Sequence, residues 1–334
     1  VGQKFFGEMS VVALMAHEYG HAVQRMADLV DNRTSSMVVE LQADCFAGDY
    51  MRWVAEGSSS RFSLDTGDGL NHVLAAAIAI RDPLVSDRYR TILERDAHGT
   101  ALERVTAFQQ GFITGTTACR AIDDEYVERL RGDLPIVLET GDDGQVQAGD
   151  VELTEDVLAM VMEDLGAVYS PSDPPELSLD PGLCENPQPV SPVAYCAARN
   201  TITVDLAALQ TFSAPADEQD YVLLQGDNTG ISALTSRYAL AVQKQRGLSL
   251  DTAQAALRTA CLTGVAQKAM IDPPEGRRLR LTAGDIDEAV SGILVNGVVA
   301  SNIDGATVPA GFTRIVAYRV GLETDADQCY DRFA

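Results

Sequence analysis

His17-Glu18-Tyr19-Gly20-His21, followed nineteen residues later by Glu40-Leu41-Gln42-Ala43-Asp44, carries the most chemistry in this chain. Residues four apart on a helix share a face, so His17 and His21 can aim two imidazoles at one ion, with Glu18 beside them. Ser10 reads as the N-cap of a helix over Val11–Met26, whose apolar positions are Val11, Val12, Leu14, Met15, Ala22, Val23 and Met26. Glu40 and Asp44 are again four apart and face one way. Glu40 then supplies a third ligand, and Asp44 accepts the outer N–H of a metal-bound histidine and fixes its tautomer. Two histidines, one carboxylate and an open fourth position form the hydrolytic zinc arrangement. The bland alternative, two histidines and a few acids on solvated helix faces, requires both motifs to fall in order by chance.

The 334 residues suffice for two domains, and a hydrophobic content of 46% supports real cores. The longest stretches dominated by apolar residues, such as 73–80 and 293–300, are far too short to cross a bilayer. The opening Val1-Gly2-Gln3-Lys4-Phe5-Phe6 reads as an interior fragment. An upstream segment is the place where a membrane anchor would lie. A net charge of −24 argues against nucleic acid and anionic membrane surfaces and is read as solubility.

An internal echo runs through the chain. Tyr19 to Gln24 resembles Tyr238 to Gln243 at a shift of 219, and Leu41, Cys45 and Gly48 match Leu257, Cys261 and Gly264 at 216. Leu64, Gly67, Asp68 and Val73 match Leu281, Gly284, Asp285 and Val290 at 217, and Arg104, Gly111, Thr114 and Cys119 match Arg314, Gly321, Thr324 and Cys329 at 210. Four segments in preserved order, with slowly drifting shifts, read as two copies of one domain. The chemistry does not survive the copying. His17, Glu18, His21, Glu40 and Asp44 face Ser236, Arg237, Leu240, Ala256 and Ala260. Six cysteines allow fifteen complete pairings, and the echo narrows them to Cys45–Cys119 and Cys261–Cys329, leaving Cys184–Cys196 to pair locally. Disulfides imply an oxidising compartment, so the chain reads as exported, to the extracellular space or the cell envelope. Six buried free thiols in a cytosolic protein are the alternative.

His17-Glu18-Tyr19-Gly20-His21-Ala22-Val23-Gln24 and Glu40-Leu41-Gln42-Ala43-Asp44-Cys45-Phe46-Ala47-Gly48 resemble the bacterial neutral zinc metallopeptidase family. The likeness continues through Gly67-Asp68, His98-Gly99-Thr100, Arg104, Phe108, Gly111, Gly115 and Cys119, covering residues 5–122. It implies a zincin-like fold, with His17, His21 and Glu40 as Zn2+ ligands and Glu18 as general base. The first copy has only sixteen residues before His17, whereas the second has a lead-in from Val151. The strand and helix that the second copy keeps are thus expected upstream of Val1 or replaced.

The resulting expectation is a mostly α fold with a small β component: a zincin-like metallopeptidase domain duplicated in tandem. Residues 1–135 hold the intact site, 136–150 form a linker or hairpin around Gly141-Asp142-Asp143-Gly144, and 151–334 form the degenerate copy. Helices are expected at about 10–27, 36–56, 70–79, 100–114, 154–168, 238–244, 252–267, 283–299 and 313–324. Residues 170–192 should be irregular, and 200–206 a strand entering a helix. His98, in a loop before a helix, is the candidate oxyanion donor; a surface loop histidine is the competing reading. Tyr19 reads as a packing residue, since Tyr238 keeps it, and Arg104 and Arg314 read as structural, in a buried ion pair. The function expected is an exported zinc-dependent peptidase acting on a peptide or protein substrate. The alternative is a non-catalytic envelope scaffold that binds a protein partner through the degenerate domain, and a third reading is a latent, gated peptidase.

Overall fold

The structure, a computed structural model, describes residues 6–147, 149–184, 191–215, 223–274 and 279–334. It is mostly helical with one small sheet, and it divides into two compact units. The first holds the described residues up to Gln147 together with Leu223; the second holds those from Gly149 to Pro215 and from Leu224 onward. None of the described helices is long and apolar enough to cross a membrane.

In the first unit α1 spans Glu8–Met26, α2 Ser36–Ala55, α3 Asp68–Ala79, α4 Arg90–Arg95, α5 Ala101–Thr114, α6 Thr116–Cys119 and α7 Asp124–Arg131. Short polar residues start several of them by accepting orphan backbone N–H groups. Ser35 caps α2, Asp123 caps α7, and Thr100 with Glu103 forms a full capping box on α5. Ser10 does not cap α1. The helix begins earlier, after Gly7 at φ 83°, and the Ser10 hydroxyl instead bonds the carbonyls of Phe6 and His72. Helices α2 and α5 approach backbone to backbone: a Cβ at Gly48 would overlap the Phe108 carbonyl, and one at Gly111 the Cys45 carbonyl. The Cys45–Cys119 disulfide ties α2 to α6 in the same place. Met37, Val38, Leu41, Phe46, Ile122 and Val127 build the core around it. The segment around Gly141–Gly144 turns back on itself, with Thr140 bridged to Val146, and docks on this unit through the Ser86–Leu138 bridge and the Thr140–Asp87 hydrogen bonds.

The second unit opens with α8, Glu155–Tyr169, capped by Thr154. Three short strands follow: β1 Glu176–Ser178, β2 Val193–Cys196 and β3 Thr201–Val204, in the order β1-β3-β2, with β1 parallel and β2 antiparallel to β3. The segment read as irregular therefore contains a strand, held by backbone pairing that its Pro- and Ser-rich sequence does not advertise. Residues 185–190 lie outside the described residues, and Cys184 is bonded to Cys196. Then come α9 Leu206–Phe212, α10 Asp227–Gln245, α11 Ala253–Ile271, α12 Asp285–Val295, α13 Gly311–Glu323 and α14 Ala326–Arg332.

The internal packing of this unit repeats that of the first. Glycines again let two helices touch, since a Cβ at Gly264 would overlap the Tyr318 carbonyl and one at Gly321 the Cys261 carbonyl. Cys261–Cys329 ties α11 to α14. Gln24 donates to the Val39 carbonyl in the first unit, and Gln243 to the Ala255 carbonyl in the second. Arg104 donates to the carbonyl of His98, and Arg314 to that of Val308. The buried ion pair expected at both arginines exists only at Arg104. Arg314 satisfies its guanidinium on the carbonyls of Ile293, Leu294, Val308 and Pro309, because Ala260 stands where Asp44 would pair.

One layer differs between the units. In the second, α8, α9 and the sheet pack on α10, and Tyr238 is 1% exposed, stacked on Tyr169 at 6.0 Å between ring centroids. In the first, Tyr19 is 64% exposed, so packing does not explain it. Among the described residues no helix or strand covers that side of α1. Met15 and Tyr19 border an apolar groove of about 900 Å³ whose far wall is Tyr50 and Trp53 of α2.

Candidate metal centre

Helices α1 and α2 bring His17, His21 and Glu40 together. One ligand atom of each lies within 4.8 Å of the others. His17 Nε2 stands 3.2 Å from Glu40 Oε2, and His21 Nε2 stands 3.5 Å from Glu40 Oε1. The imidazoles are edge to face, with centroids 4.9 Å apart. One turn of α1 separates the two histidines, and Gly20 lies on the inner face between them. A Cβ at Gly20 would sit only 3.0 Å from the Cα of Ala43, so the missing side chain helps α2 come close enough for Glu40 to reach both rings.

The outer nitrogens are all engaged. His17 Nδ1 is 2.8 Å from Asp44 Oδ1. An ionised carboxylate can only accept, so Nδ1 carries the proton and donates. His21 Nδ1 is 3.0 Å from Gln24 Oε1. The amide of Gln24 is oriented independently, because its Nε2 donates to the Val39 carbonyl and to Gln42 Oε1; its oxygen therefore faces His21 and accepts. Both rings are thereby held with Nε2 toward the shared centre, the tautomer a cation requires. Asp44 is itself anchored by Arg104, whose Nη2 donates to Asp44 Oδ1 at 2.9 Å, with side-chain exposures of 1% and 6%.

The electrostatics suit a cation. Burial works against a charged His17, but hydrogen bonds to Asp44 and Glu40 outweigh it and push its pKa up to about 9. Burial likewise works against the Glu40 carboxylate, yet the His17 hydrogen bond and the neighbouring His17, His21 and His98 rings hold it below the usual range. Glu40 Oε2 is buried and faces His17 Nε2 at 3.2 Å. Two imidazole nitrogens and a carboxylate converging inward, with both outer nitrogens satisfied, fit a divalent ion with affinity for nitrogen and oxygen.

Other candidates are placed differently. Glu18 is exposed on α1, beside His17. His98 is half exposed, with Nδ1 3.5 Å from Asp82 Oδ1; its backbone is pinned by Asp82 on the amide and Arg104 on the carbonyl. His72 is on the surface of α3. Gln24 was not singled out as a site residue by the sequence reading, although its recurrence as Gln243 was visible. Asp82 was missed as well; nothing local marks it, because its role depends on chain brought in from sixteen residues away. In the second unit, Ser236, Arg237, Leu240, Ala256 and Ala260 are all fully buried. The Arg237 guanidinium is spent on the Val298 carbonyl and the Ser301 hydroxyl.

The two imidazoles and the carboxylate, with their outer hydrogen bonds, form a candidate metal centre carried on two helices. Residues 4–122 match the family described as "Putative neutral zinc metallopeptidase". The chain is similar, at 33% identity over 127 residues, to the uncharacterized protein YpfJ of Escherichia coli strain K12 and to that of Escherichia coli O6:H1 strain CFT073. The alignment takes in 34% of this chain and 42% of each relative, so the chain spans less than half the length of the curated proteins it matches. No solved structure matches it.

Proposed function

We propose that the first unit is a zinc peptidase centre in which His17, His21 and Glu40 hold the ion and Glu18 is the general base. The observation that carries this reading is the convergence of both Nε2 atoms on the Glu40 carboxylate with both Nδ1 atoms hydrogen-bonded outward. Bound zinc supplies Lewis acidity, lowering the pKa of water toward neutrality and polarising a carbonyl. Glu18, exposed beside His17, takes a proton from the attacking water and delivers it to the leaving amine nitrogen. Asp44 and Gln24 keep the two imidazoles in register, and Arg104 anchors Asp44 by donating to its Oδ1. His98, close enough to Glu40 to influence its charge, is the candidate donor to the carbonyl oxygen. The substrate is a peptide or protein. Three disulfides support an oxidising, exported setting, in the extracellular space or the cell envelope.

The repeated packing of the two units supports a tandem duplication whose second copy has lost the centre. Its buried Arg237 and Leu240, standing where Glu18 and His21 stand in the first, favour a non-catalytic role for that copy, such as binding an envelope partner.

The test is Glu18→Gln with the ligands left intact. Zinc content should stay at the wild-type level while hydrolysis of an unstructured protein such as casein falls by roughly 10²- to 10⁴-fold, the usual contribution of a general base. Wild-type chain that holds zinc and cleaves no peptide, together with a Glu18→Gln protein that keeps full biological activity, would exclude catalysis and leave the scaffold reading.

A further inference from the structure

We propose that Asp150, Asp227 and Glu288, with the buried carboxylate of Asp285 beside them on α12, form a second cation site, in the second unit, for a hard divalent ion of the calcium class. This inference is independent of the peptidase reading. One oxygen each of Asp150, Asp227 and Glu288 lies within 4.8 Å of the others. They converge beside Gly226, where a Cβ would overlap both Asp150 Oδ1 and Glu288 Oε1. Asp285 precedes Glu288 by three residues on α12, on the same helical face.

Capping of α10 explains part of the cluster. Asp150 Oδ1 accepts from the Asp227 amide at 3.1 Å and Glu288 Oε2 from the Asn228 amide at 2.9 Å. Asp227 Oδ2 accepts from the Val151 amide and Asp285 Oδ2 from the Thr282 amide. Two oxygens are left over. Asp227 Oδ1 and Asp285 Oδ1 are buried with no hydrogen-bond partner, on residues only 6% and 3% exposed. Among the described residues no Lys, Arg or His pairs with any of the four carboxylates. Buried like charges with orphaned oxygens need either a cation or protons, because desolvation otherwise makes their ionised forms too costly.

The donor set decides the class. It is all oxygen, which suits calcium, magnesium or manganese and not a zinc-type ion. Calcium accepts six to eight oxygens in flexible geometry, whereas magnesium demands near-ideal octahedra and keeps its waters. The site is reachable: Asp150 is exposed, and with Asp227 it lines a cleft of about 410 Å³. The site is not a relic of the first centre. By the helix register, Asp227 and Glu288 stand where the first unit has Glu8 and Asn71, neither of which belongs to the His17, His21 and Glu40 set.

The experiment is isothermal titration of calcium into the full chain preloaded with one equivalent of zinc, with thermal unfolding followed in parallel. One calcium per chain should bind and raise the unfolding temperature. Asp150→Asn, which keeps an Oδ1 to accept from the Asp227 amide, should weaken calcium at least tenfold, and Glu288→Gln should abolish binding while retaining the wild-type circular dichroism. No calcium binding by wild type would overturn the proposal, as would unchanged affinity in both variants. Binding of magnesium or a second zinc with calcium excluded would overturn the assigned class. A Glu288→Gln protein more stable than wild type, with calcium inert toward both, would show that protons alone settle the cluster.

Discussion

Replacing Asp44 with Ala separates what that carboxylate does for the fold from what it does for the centre. Asp44 is 4% exposed and accepts from His17 Nδ1 at 2.8 Å and from Arg104 Nη2 at 2.9 Å, on one oxygen. Its loss strands the Arg104 guanidinium, 1% exposed, on the single carbonyl of His98. Breaking one side of a buried pair costs about 3–5 kcal/mol. The same change frees the His17 ring to rotate and to take the other tautomer, and loss of a carboxylate that orients a ligating histidine weakens metal about 10- to 100-fold, roughly 1.4–2.8 kcal/mol. The two costs have different sources, and a second substitution divides them. Asp44→Ala with Arg104→Met removes the stranded charge, so much of the lost stability should return while zinc affinity stays low. Denaturant unfolding reads the first quantity and competition against a chromophoric chelator reads the second. If the double variant regained zinc affinity along with stability, or if Asp44→Ala held zinc within twofold of wild type, Asp44 would be only a counterion for Arg104 and the positioning argument would fail.

Other outcomes follow from the same geometry. In metal-free protein the His17 pKa is raised from 6.5 to about 9. The stabilisation from its charged form is therefore fully present below about pH 6.5 and lost as pH rises through 9. The urea midpoint of chelator-treated chain should fall across that window and be flatter in His17→Gln, whereas an equally steep fall in that variant would contradict the assignment. Zinc uptake at pH 7 should accordingly release a proton from His17, measurable as a dependence of binding heat on buffer ionisation enthalpy. Gly111→Ala should cost about 3 kcal/mol or more, since its Cβ meets the Cys45 carbonyl with no flexible side chain to yield, and Gly321→Ala should do the same against Cys261. A neutral effect on denaturant unfolding at either position would show that the helices can separate without penalty.

The centre was legible in the sequence because its parts obey short-range rules. Helical spacing puts His17 with His21 and Glu40 with Asp44, and only the meeting of two helices had to be supplied. The cysteine pairs came from repetition. What escaped depended on long-range placement. Tyr19 and Tyr238 are the same residue in the same register, yet one is exposed and the other buried, because a layer packed on α10 is not matched by anything described on α1. Likewise Arg104 and Arg314 share a position but not an ion pair, since the partner lies sixty residues away in sequence. The α7 helix was missed for a local reason: Asp124–Arg131 is strongly charged and buries chiefly Val127, so its apolar periodicity is faint.

Zinc K-edge X-ray absorption on the purified chain, with metal content determined for wild type and His17→Ala, bears most directly on the central claim. The account predicts one zinc per chain in a shell of two imidazole nitrogens and carboxylate or water oxygen, with no sulfur, and its loss in His17→Ala. A sulfur-containing shell, or zinc retained undiminished without His17, would contradict it.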